Sequence, residues 1–112
     1  MITDLLRSKV VEYQKSNATQ RLDLMRFFLS QIKNKEIELR PKGEEVTDEI
    51  IFKLLKKLIK QRNENVELYK KAGREDGVER ETKELEVLNE FVLFFPPDYA
   101  KEQPSYQNPN HK

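Results

Sequence analysis

Apolar residues recur every three or four positions at the start of the chain, as they do along one face of an amphipathic helix. This first stripe consists of Ile2, Leu6, Val10 and Tyr13. It predicts a helix from about Thr3 to Gln14. The polar segment from Ser16 to Thr19 interrupts the pattern, and the Asn17 or Thr19 side chain is expected to cap the next helix.

A second apolar stripe predicts a helix from about Ala18 to Leu39, and its members are expected to lie in the core. They are Leu22, Met25, Phe28, Leu29 and Ile32. Pro41 is expected to end this helix, because the residue before a proline avoids the helical conformation. The sequence Pro41-Lys42-Gly43 is typical of a loop.

The third predicted helix has the strongest start signal in the chain. Thr47 can cap it, and Asp48 and Glu49 suit the positive end of the helix dipole. Its apolar side consists of Ile50, Ile51, Leu54, Leu55, Leu58, Ile59, Val66 and Tyr69. We predict an unbroken helix to about Ala72, with Gly73 as the left-handed residue that closes it.

A fourth helix is predicted from the acidic pair Glu75-Asp76 onward, until Pro96-Pro97 stops it. Its apolar residues are Val78, Leu85, Leu88, Phe91, Val92 and Phe95. No segment shows the alternation of a strand, so the predicted fold class is all-α, a four-helix bundle-like domain over residues 1–97. Residues 98–112 are predicted to be a flexible tail, and removing residues 99–112 is expected to leave the melting temperature nearly unchanged.

Charge is distributed unevenly along this chain of 112 residues, although the net charge is only +1. Residues 53–74 contain eight basic and two acidic side chains, whereas residues 75–90 contain seven acidic and two basic ones. Two interpretations follow. The third and fourth helices neutralise each other side by side, or the third helix presents a surface for nucleic acid.

The composition argues against chemistry carried by this chain. There is no cysteine, the three glycines are isolated, and the only histidine, His111, is the next-to-last residue. A nucleophile with its base, a zinc site and a phosphate-binding glycine loop therefore all lack residues, and we expect no catalytic residue, metal site or cofactor. The start of the chain does not have the pattern of a signal peptide, and no apolar run is long enough to cross a bilayer, so a cytoplasmic location without membrane contact is expected.

A basic ridge is the most specific binding signal in the residues themselves. It consists of Lys53, Lys56, Lys57, Lys60 and Arg62, which recur at helical spacing on the third helix. Such a ridge would follow phosphates without reading bases. Alternatively, it pairs with acidic residues of the fourth helix, namely Glu79, Glu84, Glu86 and Glu90.

The order of several short motifs resembles the GatB/YqeY family, which comprises YqeY-like proteins and the C-terminal domain of the tRNA-dependent amidotransferase B subunit. The motifs are residues 32–38 (IKNKEIE), 47–49 (TDE), 59–62 (IKQR) and 69–76 (YKKAGRED). The resemblance covers about residues 3–96. It implies a four-helix part followed by a three-helix part, and the latter is missing from this sequence.

The resemblance implies an accessory role in tRNA metabolism or tRNA-dependent amidation, with tRNA or a tRNA-modifying protein as partner. Further candidates for RNA contact lie at the end of the second helix, namely Lys33, Lys35 and Arg40. A carbon–nitrogen ligase activity with glutamine as amide donor would rest on the resemblance alone. A third possibility is protein docking through an apolar surface, for which the candidates are Leu93, Phe94 and Phe95, since three consecutive apolar residues cannot all face one side of a helix.

Overall fold

The computed structural model describes residues 1–101, and within them every regular element is a helix. The elements are α1 (Ile2–Lys15), α2 (Thr19–Leu39), a 3-10 turn (Arg40–Lys42), α3 (Asp48–Lys71), α4 (Glu75–Val92) and α5 (Pro97–Lys101). The all-α class and the four main helices are confirmed. The predicted boundary at residue 97 stays a prediction, and residues 102–112 of the predicted tail lie outside the described residues.

The start of the predicted flexible tail is helical. Pro97 can stop one helix, but proline also fits the first position of another, where its missing N–H has no helical partner anyway. Here Pro97 is the first residue of α5. The ring of Tyr99 lies 6.1 Å from that of Phe95, so this part of the tail packs against the residues that follow α4.

Three chain reversals use the same backbone geometry, the Schellman motif. The helix ends with a residue in the left-handed region, whose φ is 57° at Asn17, 71° at Gly43 and 68° at Gly73. In each case the next N–H donates to the carbonyl five residues earlier, as from Arg74 to Tyr69 at 2.9 Å. The prediction for Gly73 is thereby confirmed.

The predicted helix starts were right at one place and wrong at another. The Thr47 hydroxyl accepts from the N–H of Ile50 at 3.3 Å, which confirms it as a cap. At the start of α2 the capping residue is Ala18, without a side-chain hydrogen bond. Asn17 is instead the left-handed residue that closes α1, so the prediction that it or Thr19 caps α2 was wrong.

The chain divides into two compact units, Met1–Leu54 and Leu55–Lys112, and the division falls within α3. Buried apolar residues of the first unit are Ile2, Leu6, Leu24, Met25, Phe28, Ile32, Leu39, Ile51 and Phe52. In the first unit the N–H of Ile2 donates to Asp48 Oδ1 at 3.3 Å. The first residue of α3 thus supplies a hydrogen-bond acceptor to an N–H group that has no partner within α1. Leu22 and Leu29, predicted as core, are only half-buried.

The described part of the second unit contains ten buried apolar residues, which are Leu55, Leu58, Ile59, Val66, Leu85, Val87, Leu88, Phe91, Val92 and Phe95. Helix α4 ends at Val92, earlier than predicted. The N–H groups of Leu93, Phe94 and Phe95 bond to carbonyls three residues back, which is the tightened geometry common at helix ends.

Candidate nucleic-acid interface and the adjoining ion network

The predicted basic ridge does not lie on one side of α3. Lys53, Lys57 and Lys60 are exposed. Lys56 is half-buried and interacts with another group of the protein. Arg62 is nine positions from Lys53, which at 100° per residue is half a revolution around the helix. The inclusion of Arg62 in the ridge was therefore wrong, and the spacing alone could have shown it.

Arg62 binds the acidic helix instead. Its Nε lies 3.0 Å from Glu84 Oε1 and 4.0 Å from Glu81 Oε1. Only 20% of the Arg62 side chain and 8% of the Glu81 side chain are exposed, so the pair of Arg62 with Glu81 is largely removed from water. The interpretation that α3 and α4 neutralise each other holds for Arg62.

The lysines of α3 behave differently. Lys57 and Lys60 lie in the second unit, and within residues 1–101 neither of them forms an ion pair. The same holds for Lys53, which lies on the part of α3 that belongs to the first unit. We call Lys57 and Lys60 the lysine face.

A polar network joins α3 to α4 on the side away from the lysine face. Glu81 is buried, and its Oε1 accepts from the Asn65 amide at 2.9 Å. Its Oε2 lies 3.6 Å from Arg80 Nε, and Arg80 in turn donates from Nη2 to the Tyr69 hydroxyl at 2.9 Å. Since a buried carboxylate is stable only when it is paired, these contacts hold the two helices at a fixed register.

Gly77 lets α4 approach α3 closely at the same place. It is buried, and a Cβ atom added there would overlap Cδ1, Cγ and Cε1 of the Tyr69 ring. The Arg80 guanidinium carbon lies 5.4 Å from the centre of the same ring. Tyr69 is therefore held between a backbone surface and a cation, and its ring has little freedom to move.

The network changes the ionisation of one of its members. Burial raises the pKa of Glu84 above its ordinary value of 4.5, and the nearby Glu81 adds to the rise while Arg62 opposes it. The opposite occurs at the start of α4. There the Arg74 side chain and the N–H of Gly77 lower the pKa of the exposed Asp76.

We expect the raised pKa of Glu84 to make the unfolding free energy fall as the pH rises above about 4.5. In this range the unfolded state loses its Glu84 proton before the folded state does, so the folded state binds more protons. In Glu84→Gln this contribution is absent, and the unfolding free energy should decline less from pH 4 to neutrality. Urea unfolding at a series of pH values measures it, and identical profiles for the two proteins would contradict the expectation.

The candidates near the end of α2 fall into two environments. Lys33 and Arg40 are exposed, and within the described chain neither takes part in an ion pair. Lys35 is half-buried and pairs with Glu38 at 3.2 Å. Arg40 also lines a groove of about 460 Å³ whose other charged residues include Arg7 and Glu36.

The three candidates for a docking surface do not form a common exposed patch. Leu93 is 80% exposed, but Phe95 is only 4% exposed and belongs to the core. Phe94 is half-buried, with its ring 6.0 Å from that of Phe91. Phe95 is therefore removed from the surface predicted for it, because the tight turn after Val92 directs its side chain inward.

No cluster of three or more potential metal ligands is found in the part of the chain that the structure describes. A second groove, of about 400 Å³, is lined by residues around the α3–α4 turn, including Tyr69, Arg74 and Val78. Among residues 1–101, no helix combines the length and the apolar composition needed to cross a membrane.

Within residues 1–101 the structure is that of an all-α protein. The family model of Yqey-like proteins matches residues 3–103. The chain belongs to the YqeY-like family.

Three fungal proteins are similar to it. An uncharacterized protein of Schizosaccharomyces pombe is 30% identical over 88 residues, which are 79% of this chain and 69% of that protein. Altered inheritance of mitochondria protein 41, a protein named as mitochondrial, is 38% identical over 72 residues in Lachancea thermotolerans and 34% identical over 76 residues in Kluyveromyces lactis. These matches cover 64% and 68% of this chain but only 37% and 40% of the two relatives.

Proposed function

We infer that this chain is a non-catalytic RNA-binding module whose lysine face contacts the phosphate backbone. The observation that carries the inference is that Lys57 and Lys60 are exposed and, within residues 1–101, without an ion pair. Helix α4 supplies acidic side chains in the same unit, yet its Glu81 and Glu84 bind Arg62. The positive charge of the lysine face thus stays available to a ligand.

The chemistry of the lysine face suits phosphate better than a base edge. A lysine ammonium is a compact charge on a flexible stem, without the planar fork that arginine uses for bidentate recognition. Contacts of this kind attract nucleic acid and position it without reading its sequence. Sequence-independent binding that weakens steeply with salt is the expected behaviour.

The resemblance of the motifs to the terminal domain of the tRNA-dependent amidotransferase B subunit supports tRNA as the ligand. An accessory role in tRNA metabolism fits a module that lacks a nucleophile–base pair in its sequence. Amide transfer with glutamine as donor remains a property of that family's larger enzymes in this proposal. The cytoplasmic location stays a prediction.

The double substitution Lys57→Glu/Lys60→Glu is expected to weaken tRNA binding at least tenfold at about 0.1 M salt. The lysine face is expected to contribute about −2 to the slope of a plot of log K against log salt, since two lysines neutralise about two phosphates. The melting temperature should change little, because charges at exposed positions contribute roughly 0.5 kcal/mol or less to stability. Fluorescence anisotropy with labelled tRNA and a thermal melt measure the two quantities.

The matched control is Lys70→Glu/Lys83→Glu, which makes the same change in net charge in the same unit. These two lysines already pair with Glu67 and Glu79, at 3.5 Å and 3.1 Å. The control is expected to keep wild-type affinity within about threefold. An equal loss in both variants would mean that net charge alone attracts the RNA, and the proposal would then fail.

One observation favours a second candidate function, which is docking of a protein partner. Leu93 is 80% exposed, and the half-buried Phe94 follows it. Apolar docking is insensitive to salt, unlike phosphate binding. Binding of a partner that survives high salt and ribonuclease treatment and is lost in Leu93→Ser would favour this candidate over RNA binding.

A further inference from the structure

Helix α2 carries a row of basic side chains at a regular spacing of seven residues. The row consists of Arg26, Lys33 and Arg40, all of which are exposed. Arg40 follows the last residue of α2 but keeps helical backbone angles, with φ −56° and ψ −47°, so the periodicity extends to it. Seven residues turn a helix by 700°, which brings each member within about 20° of the previous one.

The members of this α2 row have no acidic partner in the described part of the chain. No ion pair is formed there by Arg26, Lys33 or Arg40. The neighbouring residues along this face are the exposed Ser30 and Ile37 on one side and the half-buried Leu29 and Glu36 on the other. By contrast, Lys35 is half a revolution from Arg26 and is paired with Glu38. The α2 row is thus a line of three positive charges about 21 Å long, with Glu36 beside it, and no member of the row forms an ion pair within residues 1–101.

We propose that the α2 row binds the phosphate backbone of double-stranded RNA, as a second contact surface that lies in the first unit. The inference rests on the proposed function for its ligand class, RNA, but on different residues and a different unit. It narrows that class to helical stems. It also assigns a role to Arg26, which the motif-based candidates did not include.

The geometry favours a duplex over a single strand. The row is straight and rigid, with a cation about every 10.5 Å. A duplex is also straight and stiff, and its phosphate charge is dense, about one per 1.7 Å of axis in double-stranded DNA, so it attracts a straight row of cations strongly. A flexible single strand would first have to be straightened, which lowers its affinity.

The chemistry of the row agrees with this choice. Surfaces for single strands combine positive charge with aromatic rings on which the bases stack, whereas the row itself contains no aromatic residue. Arginine at both ends supplies planar donors that bind a phosphate with two parallel hydrogen bonds. Double-stranded RNA is recognised mainly through its shape and its backbone, which is what a row of this kind can contact.

The test compares a blunt RNA stem of about 20 base pairs with an unstructured single strand of equal length. Arg26→Ala/Lys33→Ala/Arg40→Ala should weaken stem binding at least tenfold at about 0.1 M salt and reduce the salt slope by about 2 to 3, since each lost phosphate contact removes roughly 0.9. The wild type should bind the stem at least fivefold more tightly than the single strand. Thermal melts verify that the variant is folded.

The matched control, Lys9→Ala/Lys15→Ala/Arg21→Ala, removes three positive charges from the same unit. Lys9 and Arg21 are half-buried, and Lys9 already has an acidic partner, Glu12. In this control, the magnitude of the slope of log K against log salt should fall by less than about 1. Equal losses in both triple variants, or equal wild-type affinity for stem and single strand, would overturn the inference.

The lysine-face variant separates this inference from the proposed function. If stem binding falls in Lys57→Glu/Lys60→Glu but not in the α2-row variant, the proposed function stands and the second surface is wrong. If it falls in the α2-row variant alone, the second surface stands and the lysine face is wrong. If the wild type binds neither RNA, both are wrong.

Discussion

Gly77→Ala is expected to lower the melting temperature by roughly 5–15 °C, although alanine usually stabilises a helix by up to about 1 kcal/mol relative to glycine. The reason is steric. The new methyl group would overlap ring carbons of Tyr69, whose hydroxyl is held by Arg80 at 2.9 Å. Overpacking of this kind costs about 1–3 kcal/mol, which outweighs the gain in helix propensity. Thermal unfolding followed by circular dichroism measures the change.

A double-mutant cycle assigns the effect to the ring. In a Tyr69→Ala background the methyl group meets no ring, so Gly77→Ala should be neutral or stabilising there. The sign of the effect would thus reverse between the two backgrounds. A rise in melting temperature for Gly77→Ala in the wild-type background would show that α3 and α4 have room to separate and would contradict the close approach at Gly77.

Arg62→Met should destabilise the protein by about 2–4 kcal/mol. It leaves the buried Glu81 carboxylate without the guanidinium that lies between Glu81 and Glu84. Removing one partner of a buried pair typically costs 3–5 kcal/mol. The smaller value expected here reflects the 20% exposure of the Arg62 side chain and the two partners that Glu81 keeps, the Asn65 amide and Arg80. Urea unfolding measures the difference.

Two further variants make this expectation specific. Lys70→Met removes an exposed cation from the same helix and should cost at most about 1 kcal/mol, because Lys70 pairs with an equally exposed Glu67. Arg62→Met/Glu81→Met removes both charges and should recover much of the loss, since apolar residues can replace a buried ion pair. If Arg62→Met lowered the unfolding free energy no more than Lys70→Met does, the polar network would contribute no more to stability than an exposed ion pair.

Local signals in the sequence were sufficient to predict where the main helices lie. Thr47 with the two acids after it fixed the start of α3, and Gly73 fixed its end, because both act through hydrogen bonds within a few residues. The end of α2 at Leu39 agrees with the stop signal of Pro41, although Arg40, the residue before the proline, keeps helical backbone angles and the chain continues as a 3-10 turn. A residue that is compatible with two structures gave a less reliable prediction. Pro97 can stop one helix or begin another, and in the structure it begins α5.

The candidate site was predicted less well, because it depends on which side of a helix each charge occupies. The five residues of the predicted basic ridge are close together in the sequence. At 100° per residue, however, Arg62 lies on the opposite side of α3 from Lys53. The α2 row is visible in the sequence as basic residues spaced seven positions apart from Arg26 onward. The close approach at Gly77 could not, because a glycine in a helical segment does not reveal which side chain from another helix covers it.

The three Schellman endings have a consequence for how the chain folds. Each reversal, at Asn17, Gly43 and Gly73, is closed by backbone bonds that span only six residues. Loops of this size close in about 10–100 ns, far faster than a whole domain folds. During synthesis, each turn can therefore form soon after its own residues have left the ribosome, before the rest of the chain exists. We expect the slower step to be the burial of side chains between these helices.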